Sequence, residues 1–267
     1  MKERIWSFLA WHRIKPLMNK FGYLSYLHSL AIKKEKARIL RTYISTNQVM
    51  SGPFSGLKYP SYVTNGSALL PKLVGSYEAE LHQEISELLR NNYSEIIDVG
   101  CAEGYYAIGL ALIIPDVKVY AFDINPQAQI LCEKMAIENN VDSRVYLHGS
   151  CKETDLKKIP VRKKALIVSD CEGFELKLFT QAIIADLSEC DFLIETHDCY
   201  DSRISKTLKD RFQFTHDLTS IYSISDLAKT ESYLFHKKAG IPRKYLFNLY
   251  SEERIGVSEW IICRSKN

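Results

Sequence analysis

Residues 98–106 read Asp-Val-Gly-Cys-Ala-Glu-Gly-Tyr-Tyr, DVGCAEGYY, and follow directly on Glu95-Ile96-Ile97. A short apolar run ending on an acid predicts a buried strand, and Ala107-Ile108-Gly109-Leu110-Ala111-Leu112 downstream predicts a helix. Between them Gly100 and Gly104 allow a sharp turn and a backbone that a ligand can approach without meeting a Cβ. In an open parallel sheet, ligands gather beyond the carboxyl ends of the strands. Asp98 and Gly100 therefore mark a candidate site.

Outward from this corner the rhythm repeats. Strands are expected at Glu95–Asp98, Val117–Phe122, Arg144–His148, Ala165–Ser169 and Phe192–Glu195, with helical patterns between them. Asn125-Pro126 is a helix start, an N-cap followed by proline at the first helical position. Phe212–His216 and Glu259–Cys263 supply two further strands. The alternation predicts an α/β, Rossmann-like fold with a mostly parallel seven-stranded sheet flanked by helices. That domain is expected over 76–267, with Ser76 capping a helix that buries Tyr77, Leu81, Ile85 and Leu88. The less periodic Ser220–Val257 is expected to cover a pocket.

Upstream, residues 1–75 are expected to form a basic helical arm and a connector. Ile39, Leu40, Tyr43 and Ile44 lie at helical spacing, and Ser51–Gly75 holds four glycines and three prolines, as a loop does. Residues 1–41 carry ten Lys/Arg against Glu3 and Glu35, a net of +8 within a chain whose formal charge is +3. Such asymmetry suits a solvated helix face, an anionic membrane surface or nucleic acid; no aromatic-interleaved groove accompanies it, so nucleic acid is not expected. Trp6 and Trp11 can rest at a membrane interface or pack the arm onto the body or a second subunit.

The seven cysteines are odd in number and form no C-x-x-C pair, which disfavours a disulfide framework or zinc cluster. No stretch approaches the roughly 18 apolar residues of a spanning helix. The run Ile5–Trp11 is short, contains Ser7 and lacks a small-residue cleavage site, so it is not expected to be a signal peptide. A cytoplasmic protein, peripheral to a membrane at most, is the expectation.

Asp123 lies nineteen residues after Gly104, at the end of VKVYAFDINP, where an acid suits two ribose hydroxyls. A dinucleotide site is disfavoured, because GCAEG lacks the G-x-G-x-x-G order and an acid at the turn repels a diphosphate. DVGCAEG resembles the first motif of class I S-adenosylmethionine-dependent methyltransferases, with Ala102 in place of the middle glycine, and AFDIN is similar to the second. The resemblance implies S-adenosyl-L-methionine as cofactor. Asp98 and the Gly100-Cys101-Ala102-Glu103-Gly104 backbone would meet the methionine part, Asp123 the ribose and Ile124 the adenine. Ser150 and Cys151 stand where family members often place an acid for the adenine amino group.

ALIVSDCEGFELKLF resembles the FkbM family of methyltransferases, whose D-x-E-G-x-E stretch corresponds to Asp170, Glu172, Gly173 and Glu175. DFLIETHD is similar to the family's next strand, ending in Glu195 and His197. This resemblance implies O-methylation of a hydroxyl on a sugar, glycan or other natural product. An alcohol needs a proton acceptor at the transferred methyl or a divalent ion that lowers its pKa. His197 is the expected general base, with Asp170 orienting it or the acceptor and Glu172 nearby. Alternatively Asp170, Glu195 and His197 hold Mg²⁺ or another divalent ion. Glu175 reads as a helix N-terminal acid favoured by the dipole. Lys58, Tyr59, Tyr77 and Arg254 are candidates to reach a sugar, one bearing phosphate or nucleotide included.

Base methylation is disfavoured because SDCEGF has no proline where such enzymes carry one. RNA or protein methylation through the basic arm, and a non-catalytic cofactor-binding module, remain as alternatives.

Overall fold

The computed structural model describes residues 26–44, 46–65, 68–254 and 256–267. Trp6, Trp11 and most of the basic arm lie outside the described residues. The strands are β1 (Glu95–Val99), β2 (Lys118–Phe122), β3 (Val145–His148), β4 (Ala165–Ser169), β5 (Asp191–Thr196), β6 (His216–Tyr222) and β7 (Glu259–Ser265). They form one sheet in the order β3-β2-β1-β4-β5-β7-β6. The pairings from β3 through β5 are parallel, whereas β7 runs antiparallel to both β5 and β6. The sheet is thus mixed, with its antiparallel member inserted near one edge.

The helices are α1 (26–43), α2 (Leu69–Val74), α3 (His82–Leu88), α4 (Tyr105–Ile113), α5 (Pro126–Glu138) and α6 (Glu153–Lys158). Then come α7 (Glu175–Leu178), α8 (Gln181–Asp186), α9 (Ile204–Phe212), α10 (Asp226–Ser232), α11 (Phe235–Lys238) and α12 (Leu246–Tyr250). β1, β4 and β5 are buried at every position, as strands covered on both faces must be, whereas edge strand β3 alternates half-buried and exposed. One core joins α2–α5 and α12 to the sheet face carrying Ile96, Val168 and Leu193. The other face, with Ile97, Ile167 and Phe192, packs on α6–α9.

Several sequence expectations are corrected by packing. Phe212 belongs to α9, where Ile204, Leu208 and Phe212 form a buried stripe at helical spacing, and β6 begins only at His216. Ser76 caps no helix: it is buried, its hydroxyl donates to the Pro71 carbonyl, and regular helix begins at His82 after a 3-10 turn, Ala79–Leu81. The Ser51–Gly75 connector contains α2 and enters the core through Phe54, Leu57, Leu70 and Leu73. Phe54 sets its ring edge-on to Tyr105 and Tyr106 of α4, at 5.0 and 5.8 Å. Within 220–257, the first three residues finish β6 and the rest is built around α10–α12. Asn125 does cap α5, its side chain accepting from the Gln127 N–H.

Candidate functional site

The parallel strands β1 and β4 are neighbours although two strands, β2 and β3, with their helices separate them in the chain, so the connections diverge at their carboxyl ends. There Gly100 adopts φ +90°, and a Cβ on it would lie 1.7 Å from the Asp170 carbonyl oxygen at the end of β4. Gly104, at φ +99°, faces the Cys132 sulfur of α5, which a Cβ would approach to 2.8 Å. The bare backbone read from the sequence as room for a ligand is therefore room for the adjoining strand end and helix. The Gly100 and Cys101 N–H groups both donate to the Phe122 carbonyl, at 2.9 and 3.0 Å. Asp123 completes the corner by accepting from the Ala102 N–H at 2.9 Å and the Asn125 N–H at 2.8 Å.

Beyond the corner opens a cleft of about 660 Å³. It is lined by Asp98, Gly100, Cys101, Ala102, Asp123, Ile124, Ser150, Cys151, Asp170 and Glu172, brought together from four strand ends. Glu103 and Gly104 do not line it. The Glu103 carboxylate is turned away to a buried ion pair with Lys72 at 2.6 Å, and also accepts from the Asn65 N–H at 3.2 Å. Lys72 itself lies 4.7 and 5.0 Å from the ring centroids of Tyr77 and Tyr105, which with Tyr106 form the wall contributed from outside the strand ends.

The cleft has a polar end and an apolar end. Asp98 is buried, and one of its carboxylate oxygens has no hydrogen-bond partner. Burial, reinforced by the charges of Asp170 and Asp123, pushes its pKa up to about 8. Ile124 presents an apolar side chain that is 82% exposed. Both oxygens of Asp123, beside it, keep a further lone pair for a hydroxyl donor.

A second cavity of about 290 Å³ adjoins the first, and Tyr77, Asp170 and Glu172 line both. His197, which follows β5, lines only the second. Its Nδ1 meets Oε1 of Glu175 at 2.5 Å, and its Nε2 lies 3.2 Å from Asp170 and 3.7 Å from Glu172. Burial opposes charge on this ring, but the hydrogen bonds and charges of Asp170 and Glu175 prevail and push its pKa up to about 11. Without a bound cation these carboxylates favour the charged ring, whereas ligation of a metal ion requires the neutral imidazole. Tyr200 stacks on it at 6.0 Å and donates to Glu172 at 3.1 Å.

Asp170, Glu172 and His197 each offer a ligand atom within 4.8 Å of the others, a grouping able to hold a metal ion. Glu195 is not part of it. Its carboxylate is ion-paired with Arg254, which also binds Glu78 at 2.6 Å and Glu252 at 3.0 Å. Glu252 in turn pairs with buried Lys229. Of the residues proposed to reach a substrate, Tyr77 and Arg254 line a cavity; Tyr59 is buried in the core, and the Lys58 backbone is tied to Asn139.

Glu175 is the functional candidate that the sequence reading set aside as a helix-end acid. It is fully buried, and its hydrogen bond orients His197 as a carboxylate orients a metal-binding histidine. The D-x-E-G-x-E spacing contained that signal. The role of Arg254 carried none, because it depends on partners at positions 78, 195 and 252.

No family model matches the chain. Over 87 residues it is 32% identical to the release factor glutamine methyltransferase of Deinococcus radiodurans; the match spans 33% of this chain and 30% of that protein's length. Among solved structures it is similar to the O-methyltransferase TomG of Streptomyces achromogenes in complex with SAM, at 12% identity and TM-score 0.49, covering 74% of this chain and 83% of that one. It is also similar to an O-methyltransferase of Bacillus cereus in complex with SAH, at 12% identity and TM-score 0.47, covering 87% and 91%. Among the described residues no helix is long and apolar enough to cross a membrane.

Proposed function

We propose that the protein is an S-adenosylmethionine-dependent methyltransferase that O-methylates a hydroxyl on a sugar, glycan or other natural product. The observation that carries this reading is the cleft at the β1–β4 divergence. It offers a buried, unpartnered carboxylate oxygen at Asp98, a carboxylate at Asp123 and an exposed apolar side chain at Ile124. These suit, in turn, the ammonium of an amino acid, a ribose diol and a purine face. The partial likeness to a methyltransferase of Deinococcus radiodurans agrees with methyl transfer, though not with the acceptor class.

Methyl transfer from a sulfonium is an in-line displacement, so positioning supplies much of its acceleration. Asp170 and Glu172 stand where the two cavities meet. In this reading the acceptor hydroxyl lies in the second cavity and Asp170 takes its proton, while Glu175 holds His197 in register. Asp170, Glu172 and His197 also fit a divalent cation, in place of the expected set with Glu195. Such an ion, when bound, supplies a Lewis acid that lowers the pKa of the acceptor hydroxyl.

Calorimetric titration with S-adenosylhomocysteine tests the cofactor assignment. Micromolar binding is expected, weakened about tenfold or more by Asp123→Ala, since hydrogen bonds to a charged group contribute roughly 1.5–3 kcal/mol. Absence of binding by the unmodified protein removes the enzyme reading.

The same titration has a pH signature. With its pKa raised to about 8, Asp98 holds a proton at neutral pH in the free protein. In the unfolded chain it titrates in the ordinary carboxylate range. The native state therefore binds the extra proton between that range and about pH 8, and its contribution to stability falls as pH rises through the window. An ammonium beside Asp98 favours the carboxylate, so binding is expected to release up to about one proton at pH 7 and to tighten toward pH 8. Titrations at pH 7 in buffers of different ionisation enthalpy read the release directly; proton uptake, or none exchanged, contradicts the placement of the ammonium.

A further inference from the structure

We infer that the acceptor is a polyhydroxylated amine, a hydroxyl compound carrying a protonated amino group, rather than a phosphorylated or nucleotide-linked sugar. The inference rests on the methyl-transfer reading and concerns the second cavity. An anionic acceptor needs a cation to meet it, and none facing that cavity among the described residues is available. Arg254 spends its guanidinium internally: Nε donates to Glu252 at 3.0 Å, one terminal nitrogen to Glu195 and to Ser258 at 3.2 Å, the other to Glu78 at 2.6 Å. His197 is one imidazole shared by Asp170, Glu172 and Glu175.

The balance of the lining is therefore acidic. Asp198 adds a further carboxylate to the cavity. Glu175 lies buried behind the lining, and a divalent ion at Asp170, Glu172 and His197 would offset only two of the four negative charges of Asp170, Glu172, Asp198 and Glu175. In the ion-free cavity a phosphate loses hydration and meets repulsion from these carboxylates, whereas a protonated amine gains attraction.

Two aromatic side chains say where such a molecule sits. Tyr200 is 61% exposed at the rim, with one ring face stacked on His197 and its hydroxyl on Glu172, so its solvent side stands beside a carboxylate. That pairing suits an ammonium, which binds both the ring and the acid. Tyr77 stands with Asp170 where the two cavities meet. It is 9% exposed, lines both cavities and carries a hydroxyl. Standing at the junction, that hydroxyl can bond the acceptor oxygen, which places the amine toward Tyr200 and the reacting hydroxyl toward the cofactor cleft.

The test compares glucosamine, N-acetylglucosamine and glucosamine 6-phosphate as probes, by saturation-transfer NMR on the full chain loaded with S-adenosylhomocysteine. Glucosamine is expected to bind about tenfold more tightly than its N-acetyl form, which keeps the ring and loses the charge, and the 6-phosphate to give no signal. Tyr200→Leu is expected to erase the preference for the amine while leaving S-adenosylhomocysteine affinity unchanged, because Tyr200 lines only the second cavity. Equal or tighter binding of the N-acetyl or phosphate form, or no binding of glucosamine, overturns the inference. Calorimetry on the same sample separates the two readings. If S-adenosylhomocysteine binds and glucosamine is not preferred, only the acceptor class falls; if S-adenosylhomocysteine does not bind, the methyltransferase reading falls.

Discussion

Gly100→Ala is expected to destabilise the protein by about 4 kcal/mol or more and to abolish cofactor binding. Two costs combine. A left-handed backbone conformation costs a residue with a Cβ about 1–2 kcal/mol, and Gly100 has φ +90°. The new methyl would also lie 1.7 Å from the Asp170 carbonyl oxygen, a backbone atom tied to the end of β4. Relief requires β1 and β4 to part at the point where they frame the cleft, an overpacking cost of about 3 kcal/mol. Gly149→Ala is the control: Gly149 also lines the cleft, but a Cβ there meets nothing within 4 Å. Urea denaturation of both variants decides the matter, and a Gly100→Ala protein as stable as Gly149→Ala would refute the account of the corner.

His197→Ala is expected to lower methyl transfer by about 10²–10⁴-fold, because the ring positions Asp170, the proposed proton acceptor, or completes the metal-binding group. Affinity for S-adenosylhomocysteine should stay unchanged, because His197 lines the second cavity and not the cofactor cleft. Asp170→Ala should lose a comparable factor in turnover. Glu175→Gln keeps the volume and a hydrogen-bonding atom while removing the charge that orients His197. It is expected to cost about 10–100-fold, as outer partners of ligating histidines do. Turnover is measured as S-adenosylhomocysteine release with an acceptor recovered from an aminosugar screen. Full activity in both His197→Ala and Asp170→Ala would sink the catalytic assignment, and full activity in Glu175→Gln alone would return Glu175 to a purely structural role.

The two experiments probe different layers of the site. Gly100 is a constraint on how two strands meet, so its replacement is felt in stability and binding together. His197 and Glu175 act on geometry inside the second cavity, so their replacement is felt in turnover. Arg254 belongs to a third layer. It ties Glu78, at the start of the chain's entry into the domain, to Glu195 at the end of β5 and to Glu252 after α12. It thereby closes the wall of the cavity while removing its own charge from any ligand.

The sequence by itself determined the strand–helix alternation and the corner at Asp98, because apolar periodicity and a glycine turn are local signals. The same local logic placed Asp123 and Ile124 at the end of β2, Asp170 and Glu172 after β4, and His197 after β5. It could not say that β7 enters between β5 and β6, since strand order is settled by long-range pairing. Nor could it separate Glu195 from Glu172 as a neighbour of His197. Both are acids beside strand ends, and only the packed structure hands Glu195 to Arg254 from fifty-nine residues away. Glu103 and Gly104 sit in the decisive motif yet do not line the cleft, because Glu103 is held by Lys72 and Gly104 lies against Cys132. Glu175 does open α7, as the sequence suggests, but folding also buries it against an imidazole, and burial, which no run of neighbours in the chain reports, is what gives its charge an orienting role.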